Sequence, residues 1–201
     1  MTASANFKEK IYTVEEYLEM EERSQEKHEY YNGKIIKMPG ATFNHNLVAI
    51  NVATALKFAL RQQSKKYLVL GSDMKIQIAT LQSFVYPDAV VVFEKPTFYK
   101  NRKDVIINPL LIIEVLSKST EQYDKGKKFD YYRTLPSFQE YVLLNQDKPF
   151  ASVYHRETVD TWRIKDVKEG LIDLESIGCQ ISLADIYEDI VFEVNESEEF
   201  L

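Results

Sequence analysis

The chain has 201 residues, with 25 Lys and Arg against 31 Asp and Glu, a single cysteine and 45% hydrophobic residues. That length suits one domain, or at most two small ones, and can bury roughly two thirds of the unfolded surface. The composition excludes a disordered chain and a disulfide scaffold, and no apolar run approaches the ~18 residues of a membrane-spanning helix.

A net charge of −6 argues against a nucleic-acid partner only until it is divided along the chain. Residues 1–156 carry 22 basic and 18 acidic side chains, whereas residues 157–201 carry 3 and 13. The acidity is concentrated in the last quarter and says little about any one face elsewhere. The opening MTASANFKEK lacks the apolar stretch of a secretory signal, so a cytoplasmic protein is expected.

Residues 1–12 read as a flexible lead-in. Thr13 followed by Glu16 forms a capping-box pattern and predicts a helix that ends or bends before Glu29. Asn32-Gly33 is a tight-turn pair leading into a strand over 34–38, which Pro39-Gly40 stops. Asn44 is a plausible cap for a long helix to about residue 63, with Val48, Val52, Ala55, Leu56 and Ala59 as its clearest apolar stripe. Strands are expected over 67–70 and 74–78, the second alternating Met74, Ile76 and Ile78 with charged or polar neighbours. Two nearly continuous apolar runs, 89–93 after Pro87-Asp88 and 110–116 after Pro109, read as central strands. A helix over 120–133 ends at Leu135-Pro136, and a further strand covers 141–144. Residues 151–155, 158–164 and 171–174 read as peripheral antiparallel strands. Ser182 and Asp185 cap a short helix over 183–187, and the tail from Glu193 is acidic and frayed. Residues 13–192 then form one α/β domain, a central mixed sheet flanked by helices, with residues 193–201 as an acidic tail.

Glu114 is the strongest anomaly, one carboxylate among six apolar residues of the 110–116 run. A buried charge is costly unless it is paired, protonated or bound to a metal. Asp88, at the start of the preceding apolar strand, is its natural partner. Two carboxylates near one edge of adjacent strands, with the Val115 carbonyl, offer the hard oxygen ligands that Mg²⁺ favours. Asp124, Lys128 and Tyr132 fall at i, i+4 and i+8 and share one helix face, which either returns a lysine to the carboxylates or is simply solvated. Asp73-Met74-Lys75 contains an Asp-x-Lys string but precedes Pro87-Asp88, and a solvated sheet face is the simpler account of it.

Glu29, Gly33, His45, Pro87-Asp88, Glu114-Val115-Leu116-Ser117 and the Asp124/Lys128/Tyr132 helix together resemble the Uma2 family of endonucleases, whose domain is restriction-endonuclease-like, or PD-(D/E)xK. The likeness runs from about Thr13 to Tyr187. It implies a metal-dependent nuclease core: Asp88 as the motif aspartate, Glu114 as its acidic residue, and Glu29 as an acidic residue beside the site. The usual motif lysine would fall at Leu116; the resemblance moves that amine to Lys128. His45 reads equally as a site residue or as a polar residue at a helix start.

The reading that follows is hydrolysis of phosphodiester bonds in DNA, assisted by Mg²⁺ or Mn²⁺. Asp88, Glu114 and Val115 would be the metal ligands, Asp88, Glu114, Lys128 and Glu29 the catalytic residues. By the same resemblance the products carry a 5′-phosphate and a 3′-hydroxyl, and the protein is a homodimer. The alternative is a non-catalytic nucleic-acid- or protein-binding protein with a nuclease-like core, which Leu116 keeps open. No separate base-reading module is evident.

Overall fold

Side-chain oxygens start the helices by accepting the N–H groups that a first helical turn leaves free. In the computed structural model, which describes residues 10–61 and 63–192, Thr13 and Glu16 form the expected reciprocal capping box before α1 (Val14–Arg23). α2 (Phe43–Leu60) starts two residues earlier than expected, because Thr42 rather than Asn44 caps it and accepts from the His45 N–H. The tail expected to fray, residues 193–201, and residues 1–9 of the lead-in lie outside the described residues.

Between these helices β1 (His28–Tyr31) and β2 (Lys34–Lys37) form a hairpin. Asn32 and Gly33 turn it with φ of 44° and 95°, the left-handed pair that a two-residue hairpin requires. The chain also packs closely on Gly33, where a Cβ would meet Ile11 Cγ2 at 2.6 Å. The Tyr12 N–H donates to the Gly33 carbonyl at 2.9 Å.

Among the described residues the principal sheet has six strands, in spatial order β11-β10-β9-β8-β6-β3. They are β3 (Tyr67–Gly71), β6 (Ala89–Phe93), β8 (Leu111–Leu116), β9 (Glu140–Asn145), β10 (Ala151–Arg156) and β11 (Trp162–Val167). Only β8 and β9 run parallel, so the sheet is mixed, as expected. A second sheet contains β1, β2, β4 (Lys75–Ile78), β5 (Ser83–Val85) and β7 (Val105–Ile106) in the order β2-β1-β5-β4-β7. β12 (Leu171–Leu174) and β13 (Cys179–Ser182) pair as a separate hairpin, followed by α5 (Leu183–Ile186).

Several elements differ from expectation. The 158–164 strand is β11 over Trp162–Val167, because 157–161 form the preceding turn. β10 is not peripheral; it lies between β9 and β11 with Ala151–Tyr154 buried. β5, β7 and β13 are strands that periodicity does not reveal, being two to four residues long.

Helices and sheets bury both faces of the principal sheet. Val48, Val52, Leu56 and Leu60 of α2 pack with Leu111, Ile113 and Val115 on one face, joined by α5 and the β12–β13 hairpin. Ile112 and Leu116 point to the other face, against Tyr132, Tyr141 and the second sheet's Ile76, Ile78 and Val85. Because side chains alternate along a strand, Glu114 shares the face of Ile112 and Leu116. The expected 120–133 helix covers that face as α3 (Glu121–Tyr123), a π-helical turn (Asp124–Lys128) and α4 (Phe129–Tyr132).

Candidate functional site

The β6–β8 pairing sets Ala89 opposite Ile113. Continuing this antiparallel register by one residue places Asp88 opposite Glu114. Asp88 Oδ2 accepts the Val115 N–H at 2.7 Å, which locks the carboxylate to the end of β8. His45, in the first turn of α2, brings Nε2 to 3.4 Å from the same oxygen.

Lys128 enters from the π-helical turn and meets Glu114 Oε1 at 2.8 Å. Its Nζ also lies 3.7 Å from Glu29 Oε1 and 3.7 Å from Asp124 Oδ1. All four side chains are buried. The ladder expected for Asp124, Lys128 and Tyr132 therefore faces inward, and Tyr132 completes it by donating its hydroxyl to Glu114 Oε1 at 2.8 Å. Leu116 packs in the core beneath, so the ammonium beside Glu114 is that of Lys128 from the helix.

Glu29 reaches the cluster from β1. The Tyr31 hydroxyl donates to its Oε2 at 2.6 Å and the Tyr86 N–H to its Oε1 at 3.1 Å. Tyr86 immediately precedes Pro87-Asp88, and its carbonyl accepts from Lys128 Nζ at 3.5 Å. The backbone of one residue thus ties Glu29, Lys128 and the Asp88 segment together.

Three buried carboxylates surround one ammonium, and the electrostatics follow from that imbalance. Burial pushes the Glu114 carboxyl well above its usual range, against the pull of Lys128. Burial likewise raises Asp124. For Lys128 burial works against the charge, but Glu114, Glu29 and Asp124 outweigh it and hold the ammonium protonated above its usual range. Burial also raises the Tyr31 and Tyr132 hydroxyls, which remain proton donors to the carboxylates.

The Asp73/Lys75 string lies apart. Asp73 is exposed and pairs with Lys27 at 2.7 Å. Lys75 is not on a solvated face; it is buried, 2.8 Å from Asp104 and 3.1 Å from the Tyr86 hydroxyl. Burial alone would raise the Asp104 carboxyl, yet hydrogen bonds from Arg102 and Lys75 hold it at about 2, below its ordinary 3.8. A carboxyl depressed on folding contributes stability above its unfolded value and loses it as pH falls through the folded one. Asp104→Asn is therefore expected to cost about 1 kcal/mol at pH 7, allowing for solvent screening of a half-exposed group. The deficit should vanish between roughly pH 4 and pH 2 in urea unfolding; a pH-independent deficit would rule out the charge pairing.

Sequence reasoning singled out Tyr132 on its helix face but missed the other tyrosines of the cluster. Of thirteen in the chain, Tyr31, Tyr86 and Tyr132 bond the cluster, and Tyr141 donates to the Asp124 carbonyl at 3.2 Å. Their abundance was the available signal, but it does not say which are inside.

A mixed sheet with helices on both faces, its carboxylates on adjacent central strands, is a restriction-endonuclease-like α/β fold. The crystal structure of a "putative nuclease belonging to DUF820" from Anabaena variabilis superposes with a TM-score of 0.69 at 18% identity, covering 88% of this chain and 97% of that one. The family model "Uma2: Putative restriction endonuclease" matches residues 14–184, and the chain belongs to the Uma2 family. Two Synechocystis sp. relatives are similar: uncharacterized protein sll1609 is 42% identical over 137 residues (68% of this chain, 76% of that one). Uncharacterized protein slr1290 is 35% identical over 181 residues (89% of this chain, 92% of that one).

Proposed function

We propose that this chain is a metal-dependent endonuclease that hydrolyses phosphodiester bonds in DNA. The observation that carries the proposal is the buried Lys128–Glu114 pair at 2.8 Å, on the strand next to Asp88. A cation and a carboxylate brought together from a helix and a strand, beside a second carboxylate, suit a reaction in which negative charge grows on phosphate oxygens.

Carboxylate and carbonyl oxygens are the donor chemistry of a hard divalent cation. Among the described residues no three His, Cys, Asp or Glu side chains form a metal cage. Mg²⁺ needs none, since it is commonly held by one or two carboxylates together with waters and substrate phosphates. Asp88, Glu114 and the Val115 carbonyl suit such a site for Mg²⁺ or Mn²⁺, and the surplus of carboxylates over ammonium in the cluster favours a cation. When bound, the ion would polarise the scissile phosphate and make water a better nucleophile.

The protein's own groups have separable roles in this reading. Asp88, fixed by the Val115 N–H, presents its carboxylate in one orientation. Glu114 is oriented by Lys128 and Tyr132. Lys128, kept protonated by its three carboxylates, cannot act as a base; it offsets developing charge or orients the attacking water. Glu29, clamped by Tyr31 and Tyr86, positions Lys128 from β1.

A nicking assay on supercoiled DNA, paired with Mg²⁺ titration by calorimetry, tests the proposal. The wild type should bind Mg²⁺ and cut only in its presence, and Asp88→Ala should lose both while melting as a folded protein. Unchanged cutting by Asp88→Ala would remove it from the site. A second reading, a non-catalytic binding protein, draws on Glu114 already being engaged by Lys128 and Tyr132; it predicts neither Mg²⁺ binding nor cutting.

Homodimerisation belongs to the same proposal. The outer face of α2 leaves Phe43, Ile50 and Phe58 more than half exposed, so this helix is apolar on both sides. A monomeric mass by light scattering would exclude it.

A further inference from the structure

A groove of about 410 Å³ opens beside the cluster, between the β1–β2 hairpin, the 80–83 segment and the helix that carries Lys128. Its wall is aromatic. The Tyr31 ring lies 5.8 Å from that of Tyr131 and 6.1 Å from that of Tyr123, tilted to the first and edge-on to the second. Lys127 extends its ammonium over the Tyr131 ring, 5.9 Å from the centroid. Lys34 and the exposed Ile36 line the opposite side.

Charge distinguishes this groove from two others on the molecule. Among the described residues no carboxylate lines it, although the whole chain carries a net charge of −6. A groove beside α1 includes Glu15, and one between α2 and β13 includes Asp185 and Glu188. A concavity whose described lining holds two lysines, three tyrosine rings and no acid complements a polyanion that also carries flat apolar faces.

The groove is continuous with the cluster. Tyr31 forms its wall and donates its hydroxyl to Glu29. Lys127 lines the groove while its neighbour Lys128 turns inward to Glu114.

We infer that this groove binds an unpaired nucleic-acid strand by stacking bases against Tyr131 and its neighbours, and that it delivers single-stranded or locally opened substrate to the cluster. The inference rests on the nuclease reading for its purpose but not for its test. In a duplex the base faces are covered by neighbouring base pairs, and recognition must use base edges or phosphates. Ring faces contact neither; they offer stacking, which requires bases that have been freed.

Fluorescence anisotropy in EDTA, where no cutting occurs, measures binding of a labelled oligothymidylate, an oligouridylate of equal length and a duplex of that length. The single strands should bind at least about 10-fold more tightly than the duplex, and Tyr131→Leu should weaken them by about 10-fold while duplex binding is unchanged. Leucine keeps the packing of Tyr131 against the core, and a matching melting temperature verifies the fold. Lys127→Gln, at an exposed position, should reduce the slope of log affinity against log salt by about 0.7. Equal binding of the two strands supports the inference without a sugar preference, and a difference between them identifies DNA or RNA as the strand accepted. Duplex binding as tight as single-strand binding, or wild-type affinity in both variants, overturns it. Strand binding without metal-dependent cutting would leave the groove standing and remove the nuclease; cutting without strand preference would do the reverse.

Discussion

Glu114→Gln is expected to lower Mg²⁺-dependent cleavage by at least about 10²-fold while leaving stability within about 1 kcal/mol of wild type. The amide has the same size, and its oxygen can still accept from the Tyr132 hydroxyl that now reaches Glu114 Oε1. The charge that would ligate a metal is lost. Little stability should go with it, because the carboxylate is buried at a cost that pushes its pKa up, and a neutral isostere avoids that cost. The pair with Lys128 is lost too, yet the ammonium keeps Glu29 and Asp124, both at 3.7 Å. Plasmid nicking and thermal melting in EDTA read the two effects separately. Retained cleavage would remove Glu114 from the chemistry; a large drop in melting temperature would make its role structural.

Lys128→Met should behave differently. It too should abolish cleavage, but it leaves Glu29, Glu114 and Asp124 buried together with no cation among them. Removing one partner of a buried ion pair typically costs about 3–5 kcal/mol, because an uncompensated charge stays behind. In a chain of this size that corresponds to a fall of roughly 10 °C in melting temperature. Lys125→Met is the control: its pair with Glu121 is half exposed, and its loss should change stability by no more than about 0.5 kcal/mol. If Lys128→Met melts with the wild type, the ammonium is not what compensates the carboxylates, and the electrostatic account of the cluster fails. The contrast between the variants follows from one asymmetry. The ammonium can lose one of three carboxylates and stay paired, but the carboxylates cannot lose the one cation that the described residues place among them.

The two variants also separate what holds the site together from what reacts in it. Tyr31, Tyr86 and Tyr132 use hydroxyl or amide donors to fix carboxylates that sit in the core. Such a network is built into the fold, and in the proposed nuclease preorganised charge of this kind would stabilise a transition state without reorganisation at the moment of reaction. The π-helical turn at Asp124–Lys128 belongs to the same arrangement: Asp124, Lys128 and Tyr132 all face inward through it.

Much of this was legible locally. The capping box at Thr13, the Asn32-Gly33 turn and the apolar runs of β6 and β8 each sit within a few residues, and each forms as read. Glu114 stood out because a carboxylate in an apolar strand has few affordable explanations. Asp88 followed because a strand-start acid on a neighbouring apolar run is the nearest candidate to answer it. The i, i+4, i+8 spacing put Asp124, Lys128 and Tyr132 on one side, but spacing could not say whether that side met solvent or Glu114.

The sequence by itself determined the central strands, the capped first helix and the two carboxylates on neighbouring strands, because periodicity, caps and the penalty for burying charge all act over short stretches of chain. Only the tertiary structure decided partners. Tyr86 joins Glu29 to Lys128 across 57 and 42 positions of chain, and Lys75 finds Asp104 rather than solvent. The short strands β5, β7 and β13 exist through their ladders rather than their composition. Such pairings depend on strand register and on which face each element presents to the core, and no window of sequence contains both halves of that contact.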